Sequence, residues 1–222
     1  MDQKIPFTSY DFWAYLSAGF LLLFVIDYVA DLSLLNRDKW TIIQSIIALS
    51  SAYTVGQLVA SASSFFLEKI LVGSVLGYPR NTLFGQHEAC RLIRFFLPGY
   101  FKALPDEVKK LILEKASTKG INASGEALFV LAFTEVKSIP SVASRLDNFL
   151  NLYGFCRNVS LVAFLDSGLL YWSYRYGDGP LENLNWAIAA LTLGFGLTLR
   201  YLKFFRQYAW EVFTSYSYNI VK

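Results

Sequence analysis

Asp27, Arg157 and Asp166 are ionisable residues set inside long apolar runs. Placing such a group at the centre of a bilayer costs several kcal/mol unless it is paired, hydrated or neutralised. Each therefore marks either an ion or proton path or a structural pairing. Arg157 and Asp166 stand about two and a half turns apart on one helix, too far to pair with each other. Both need a partner from another helix or from a neighbouring subunit. Asp27 lies nearer the end of its run, where solvation or snorkelling at the boundary is the simpler explanation.

A second constellation occupies residues 48–68. Ser50, Tyr53, Thr54, Gln57, Ser61 and Ser64, with Glu68 beyond them, make an unusually polar set for a segment this apolar. On an overlapping face, Ala48, Ala52, Gly56, Ala60 and Ser64 recur at every fourth position and form a groove of small residues in which another helix can pack closely. Two readings follow. The hydroxyls and the amide bond to backbone or to neighbouring helices of one bundle, or they line a hydrated path in an oligomer. Gln57, Ser61, Ser64, Glu68, Arg157 and Asp166 are the residues expected to form or support that path.

Soluble-enzyme chemistry finds little support. His87 is the only histidine, in Gln86-His87-Glu88-Ala89-Cys90. Three potential ligands in that order lack the spacing of a zinc motif. There is no Gly-rich phosphate loop and no nucleophile elbow. No catalytic, cofactor-binding or metal residue is assigned. Cys90 and Cys156, the only cysteines, are expected as unpaired thiols. Asn158 and Asn122 stand in sequons, one predicted inside the membrane and one on its cytoplasmic side, and neither is informative.

The elements that must position these residues follow from composition. The 222 residues are 55% hydrophobic and only 17% charged, which disfavours a soluble domain. The net charge of +3 is small and its basic residues are scattered, so direct nucleic-acid binding is not expected. Four apolar stretches, near 12–35, 41–66, 150–174 and 184–204, reach the roughly 20 residues that cross a bilayer. In lipid such segments must be helices. The expected fold is therefore all-α: a polytopic membrane helical bundle of about four transmembrane helices with a small cytoplasmic helical region. Residues 1–74 hold the first two crossings, 75–149 the cytoplasmic helices, and 150–222 the last two crossings and a basic aromatic tail.

Orientation comes from Lys and Arg. Residues 69–149 carry eleven, and Lys4, Arg200, Lys203, Arg206 and Lys222 flank the crossings, against only Arg37, Lys39 and Arg175 in the short connections. This asymmetry places both termini and the middle segment in the cytoplasm. Arg200, Lys203 and Arg206, interleaved with aromatic residues, are expected to anchor lipid headgroups. Within the middle segment, Pro105-Asp106-Glu107 begins a helix that ends near Gly120. Ser124-Gly125-Glu126 begins a second, and Pro140 a third that continues straight into the third crossing. Gly77-Tyr78-Pro79-Arg80-Asn81 forms a turn.

Three blocks, Ser64-Phe-Phe-Leu-Glu-Lys-Ile-Leu-Val, Leu76-Gly-Tyr-Pro and Leu152-Tyr-Gly-Phe-Cys-Arg-Asn, resemble blocks shared by bacterial multi-pass membrane proteins of unassigned activity. Some small bacterial membrane proteins of similar layout are membrane effectors in antiviral defence, partnered with a soluble sensor. Architectural analogy with those proteins makes such an effector role an expectation here.

The expected function is a non-enzymatic protein of the bacterial inner membrane, a homo-oligomer that self-associates through its second helix. It acts as a channel-like or membrane-perturbing subunit. One alternative is a membrane anchor or scaffold whose residues 82–149 recruit a soluble cytoplasmic partner. Another is an intramembrane enzyme acting on lipid, resting on His87, Glu88 and Arg91.

Overall fold

A computed structural model of the chain describes residues 11–34, 40–87 and 90–218. Lys4, Arg37, Lys39, Glu88 and Lys222 therefore lie outside the described residues. All regular structure among the described residues is helical, without strands. The expected all-α class is met. Two compact units emerge, one from the described residues up to Phe66 with Tyr153–Tyr201, the other from those of Leu67–Leu152 with the chain after Tyr201.

The first unit begins with a π-helical turn, Asp11–Leu16, that runs directly into α1, Ser17–Val29. Asp31 and Ser33 then take left-handed φ values of 49° and 51°, a conformation that ends a helix. The helix thus stops short of the stretch 12–35 expected from hydropathy. Asp27 explains part of the turn, because its Oδ1 accepts the Leu34 amide at 2.9 Å. Helix α2, Ile42–Ser63, starts at a reciprocal cap: Thr41 Oγ1 accepts the Gln44 amide and Gln44 Oε1 accepts the Thr41 amide. That arrangement satisfies two otherwise orphaned donors. Parts of α7, Pro140–Tyr176, and α8, Leu181–Tyr218, complete this unit. Ala18, Val59, Val159 and Val162 form its buried centre.

Ile42–Thr82 and Leu181–Tyr218 are long and apolar enough to cross a membrane, and Ala14–Val29 is a shorter apolar helix. The 22 residues of α2 extend about 33 Å, enough for the hydrocarbon core. Length and composition support two crossings and not four: α1 is short, and the apolar run along α7 carries Arg157, Asn158 and Asp166.

In the second unit the expected helix starts are found. Helix α5, Asp106–Ser117, follows Pro105 and carries Asp106 and Glu107 in its first turn. Gly120, with φ 80°, closes the turn after it. Helix α6 is Glu126–Val136, and α7 runs unbroken from Pro140. Val108, Ile112 and Ala116 of α5 meet Leu128, Ala132 and Val136 of α6. Val142 and Leu146 of α7 and Val212, Phe213 and Tyr216 of α8 fill the same core. Arg145 and Glu211 pair at 2.7 Å over it.

Two elements of this region have no counterpart in the sequence reading. The segment Ser64–Leu76, which continues α2, is a π-helix of 13 residues, where a single π-turn is the usual extent. Short helix α4, Arg91–Phe96, leaves Phe95 and Phe96 78% and 71% exposed. The expected turn at Gly77–Asn81 contains a one-turn helix, α3, Pro79–Thr82, with proline at its first position.

Candidate functional site

Polar residues of the first unit gather at two levels. The deeper one centres on Asn158, which is fully buried. Its Nδ2 donates to the Ala14 carbonyl at 2.8 Å, in the π-helical turn before α1. Its Oδ1 lies 2.6 Å from Ser63 Oγ of α2 and accepts from Arg157 Nε at 3.2 Å. One amide thus ties three helices together, and Arg157 finds its neighbour there rather than at Asp166. A buried polar node is favourable only when its groups are satisfied, and here both ends of the amide are used. Nothing in the sequon around Asn158 points to this role. The available signal was the adjacency of Arg157 and Asn158 inside an apolar helix, where each polar group needs a partner.

The second level is a cleft of about 590 Å³ lined by α1, α7 and α8, with Phe24, Tyr28, Asp166, Leu170, Trp186 and Leu193 in its walls. Asp166 is 8% exposed, and its buried Oδ1 has no hydrogen-bond partner among the described residues. None of the lining residues comes from α2. Of the residues expected to form or support a path, Asp166 lines this cleft, and Gln57 and Ser61 are not among its lining residues. Nearby, Asn183 accepts from Tyr28 Oη at 2.8 Å and donates to Ser173 Oγ at 3.0 Å. Ser160 donates to the Gly194 carbonyl and Ser167 to that of Ala187. These bonds bind α8 to α1 and α7.

Helix α2 separates what the sequence reading overlaid. A four-residue spacing drifts about 40° per step around a helix, so a line of small residues turns away from its starting face. Ala52, Gly56 and Ala60 are buried, and α1 with the π-helical turn before it packs on Ala52 and Gly56. A Cβ added to Gly56 would stand 2.0 Å from the Tyr15 carbonyl oxygen, and one added to Gly19 1.8 Å from that of Ala52. Ala48, half-buried, instead lines an apolar cleft with Phe20 and Trp40. At Ala52 and Gly56 the groove is occupied by the N-terminal helical segment of the same chain. Ser50, Thr54 and Ser61 lie on the opposite side and are exposed. Thr54 and Ser61 hydroxyls donate to the carbonyls four residues back. Gln57 Nε2 donates to Tyr53 Oη, which donates to Asp11 Oδ1. Ser64 is half-buried where the π-helix begins, and Glu68, half-buried one turn on, belongs to the second unit.

Of the expected headgroup anchors, Arg200 and Lys203 are exposed. Arg206 is half-buried: its Nη2 donates to the Lys102 carbonyl at 2.6 Å and its guanidinium stacks 5.1 Å from the Trp210 ring centre. Beside it in the second unit, Tyr100 donates to the Gly77 carbonyl at 2.8 Å. Burial pushes the Tyr100 hydroxyl well above its ordinary range, outweighing the opposing pull of the Arg206 charge. Gly77 needs its freedom, since its φ is 77° and the His87 ring occupies the space a Cβ would take. That packing, with His87 Nε2 3.4 Å from the Val75 carbonyl, gives His87 a structural place. Cys90 is exposed and Cys156 buried, both as free thiols.

No family model, curated protein or solved structure matches the chain.

Proposed function

We propose that the chain is a non-enzymatic, multi-pass protein of the bacterial inner membrane that self-associates into a channel-like or membrane-perturbing assembly. The observation that carries this reading is the two-sidedness of α2. Its small residues are consumed by α1, while Ser50, Thr54 and Ser61 form an exposed hydroxyl line on the other side. Hydroxyls on a helix this apolar serve best against a second polar helix face or against water. Copies would therefore meet through the outward face of α2, not through its glycine face. With α1 and α7 as further crossings, both termini fall on the cytoplasmic side. Arg91 and Arg94 beside the exposed Leu92, Phe95 and Phe96 suit the headgroup boundary of the same membrane. Architectural analogy with small bacterial membrane proteins of similar layout supports an effector role for this assembly in antiviral defence.

The test is particle mass in nanodiscs, followed by ion flux across liposomes holding the same preparation. A discrete homo-oligomer whose flux falls in the variant Thr54→Leu/Ser61→Leu, with insertion intact, supports the reading. A monomer that conducts nothing sinks it and leaves the membrane anchor that recruits a soluble partner.

A further inference from the structure

The Asp166 cleft has a composition that selects for a particular ligand. Its walls are aliphatic and aromatic, its volume of about 590 Å³ lies within the range of small-molecule sites, and it holds one carboxyl group. That carboxyl is more than nine-tenths buried, and its Oδ1 receives no hydrogen bond from the described residues. No lysine, arginine or histidine is among the described residues that line the cleft. A buried carboxylate without a cation is costly, and a donor arriving with a ligand removes that cost. Tyr28 and Trp186 stand in the same walls, and aromatic rings attract cations.

We infer that this cleft binds a lipophilic primary amine, its ammonium group donating to Asp166 and its hydrocarbon body lying against Phe24, Leu170 and Leu193. The inference goes beyond self-association, since a single chain carries the whole cleft. An anionic amphiphile is repelled by the carboxylate. A neutral alcohol gains the apolar contacts without the charge-assisted bond.

The experiment uses the full chain in phosphatidylcholine nanodiscs near neutral pH, titrated separately with dodecylamine, dodecanol and dodecanoate while tryptophan fluorescence is read. The variant Trp186→Phe identifies the part of the signal that comes from the cleft. The expected result is a saturable response to dodecylamine at a concentration about tenfold below that for dodecanol, the scale of one charge-assisted bond. In Asp166→Asn that preference disappears while the dodecanol response stays. Equal responses to amine and alcohol, or an amine preference that survives Asp166→Asn, overturn the inference. Should Asp166→Asn fail to insert, Ala190→Phe, which fills the cleft and leaves the carboxyl in place, decides: loss of the dodecylamine response supports the site, and an unchanged response overturns it.

Discussion

Gly19 and Gly56 hold α2 in backbone contact with α1 and the π-helical turn that leads into it, each lying where a single methyl group would strike the facing backbone. The added Cβ atoms would stand 1.8 Å from the Ala52 oxygen and 2.0 Å from the Tyr15 oxygen. Both obstacles are backbone, which cannot rotate aside as a side chain can. Helix propensity alone favours alanine over glycine by about 1 kcal/mol. The clash exceeds that gain because relieving it means separating the two helices along their buried faces. Gly56→Ala and Gly19→Ala are therefore expected to lose at least about 3 kcal/mol each. Thermal unfolding in detergent, followed by circular dichroism, checks this. A midpoint equal to or above that of the parent chain would show that the crossing is looser than described.

Asn158 is expected to be the most sensitive polar residue of the first unit. Replacing it by leucine removes the donor to Ala14 and the acceptor shared by Ser63 and Arg157. Buried partners left unsatisfied cost about 1 kcal/mol or more apiece, so Asn158→Leu should lose about 2 to 3 kcal/mol. Ser63→Ala removes one arm of the same node. In a double-mutant cycle the pair should be non-additive by about 1 kcal/mol. Strict additivity would mean that the serine and the asparagine do not communicate.

These two sites also mark how far the sequence was legible. Helix starts at Pro105, Ser124-Gly125 and Pro140 were readable because proline, acids and glycine act locally, through φ and the helix dipole. The closeness of α1 to α2 was half readable. Every-fourth small residues announce a close neighbour, but nothing local says whether that neighbour belongs to the same chain. The role of Asn158 was not readable, because its value comes from Ala14 and Ser63, residues 144 and 95 positions away in sequence. The π-helical winding of Ser64–Leu76 has no signature in propensity, since the same residues would serve an α-helix equally well.

Alkaline pH should weaken the second unit through Tyr100. Near neutrality the phenol is protonated in both folded and unfolded chains and contributes no pH dependence. Above pH about 10 the unfolded phenol ionises, while burial keeps the folded one protonated to higher pH. The unfolded state then binds fewer protons than the folded state, so stability falls as pH rises. Tyr100→Phe should be less stable near neutrality by about 1 kcal/mol, having lost the bond to Gly77. Its stability should nevertheless fall less steeply above pH about 10, so the two curves converge. Parallel curves in unfolding midpoints measured across that range would remove Tyr100 from the account.

The two faces of α2 make opposite predictions for cross-linking between copies. Ser61 is exposed on the side away from α1, whereas Ala52 is fully buried beneath it. A disulfide needs Cβ atoms about 4 Å apart, which a buried position under another helix of the same chain cannot offer to a second copy. In a background carrying Cys90→Ser, which removes the exposed native thiol, Ser61→Cys should give a covalent dimer on mild oxidation in membranes. Ala52→Cys should stay monomeric under the same treatment. A dimer from Ala52→Cys without one from Ser61→Cys would mean that copies displace α1 and meet through the glycine face. Neither variant cross-linking, while the chain still migrates as a larger particle in nanodiscs, would place the contact between copies on a different helix and separate self-association from the hydroxyl line of α2.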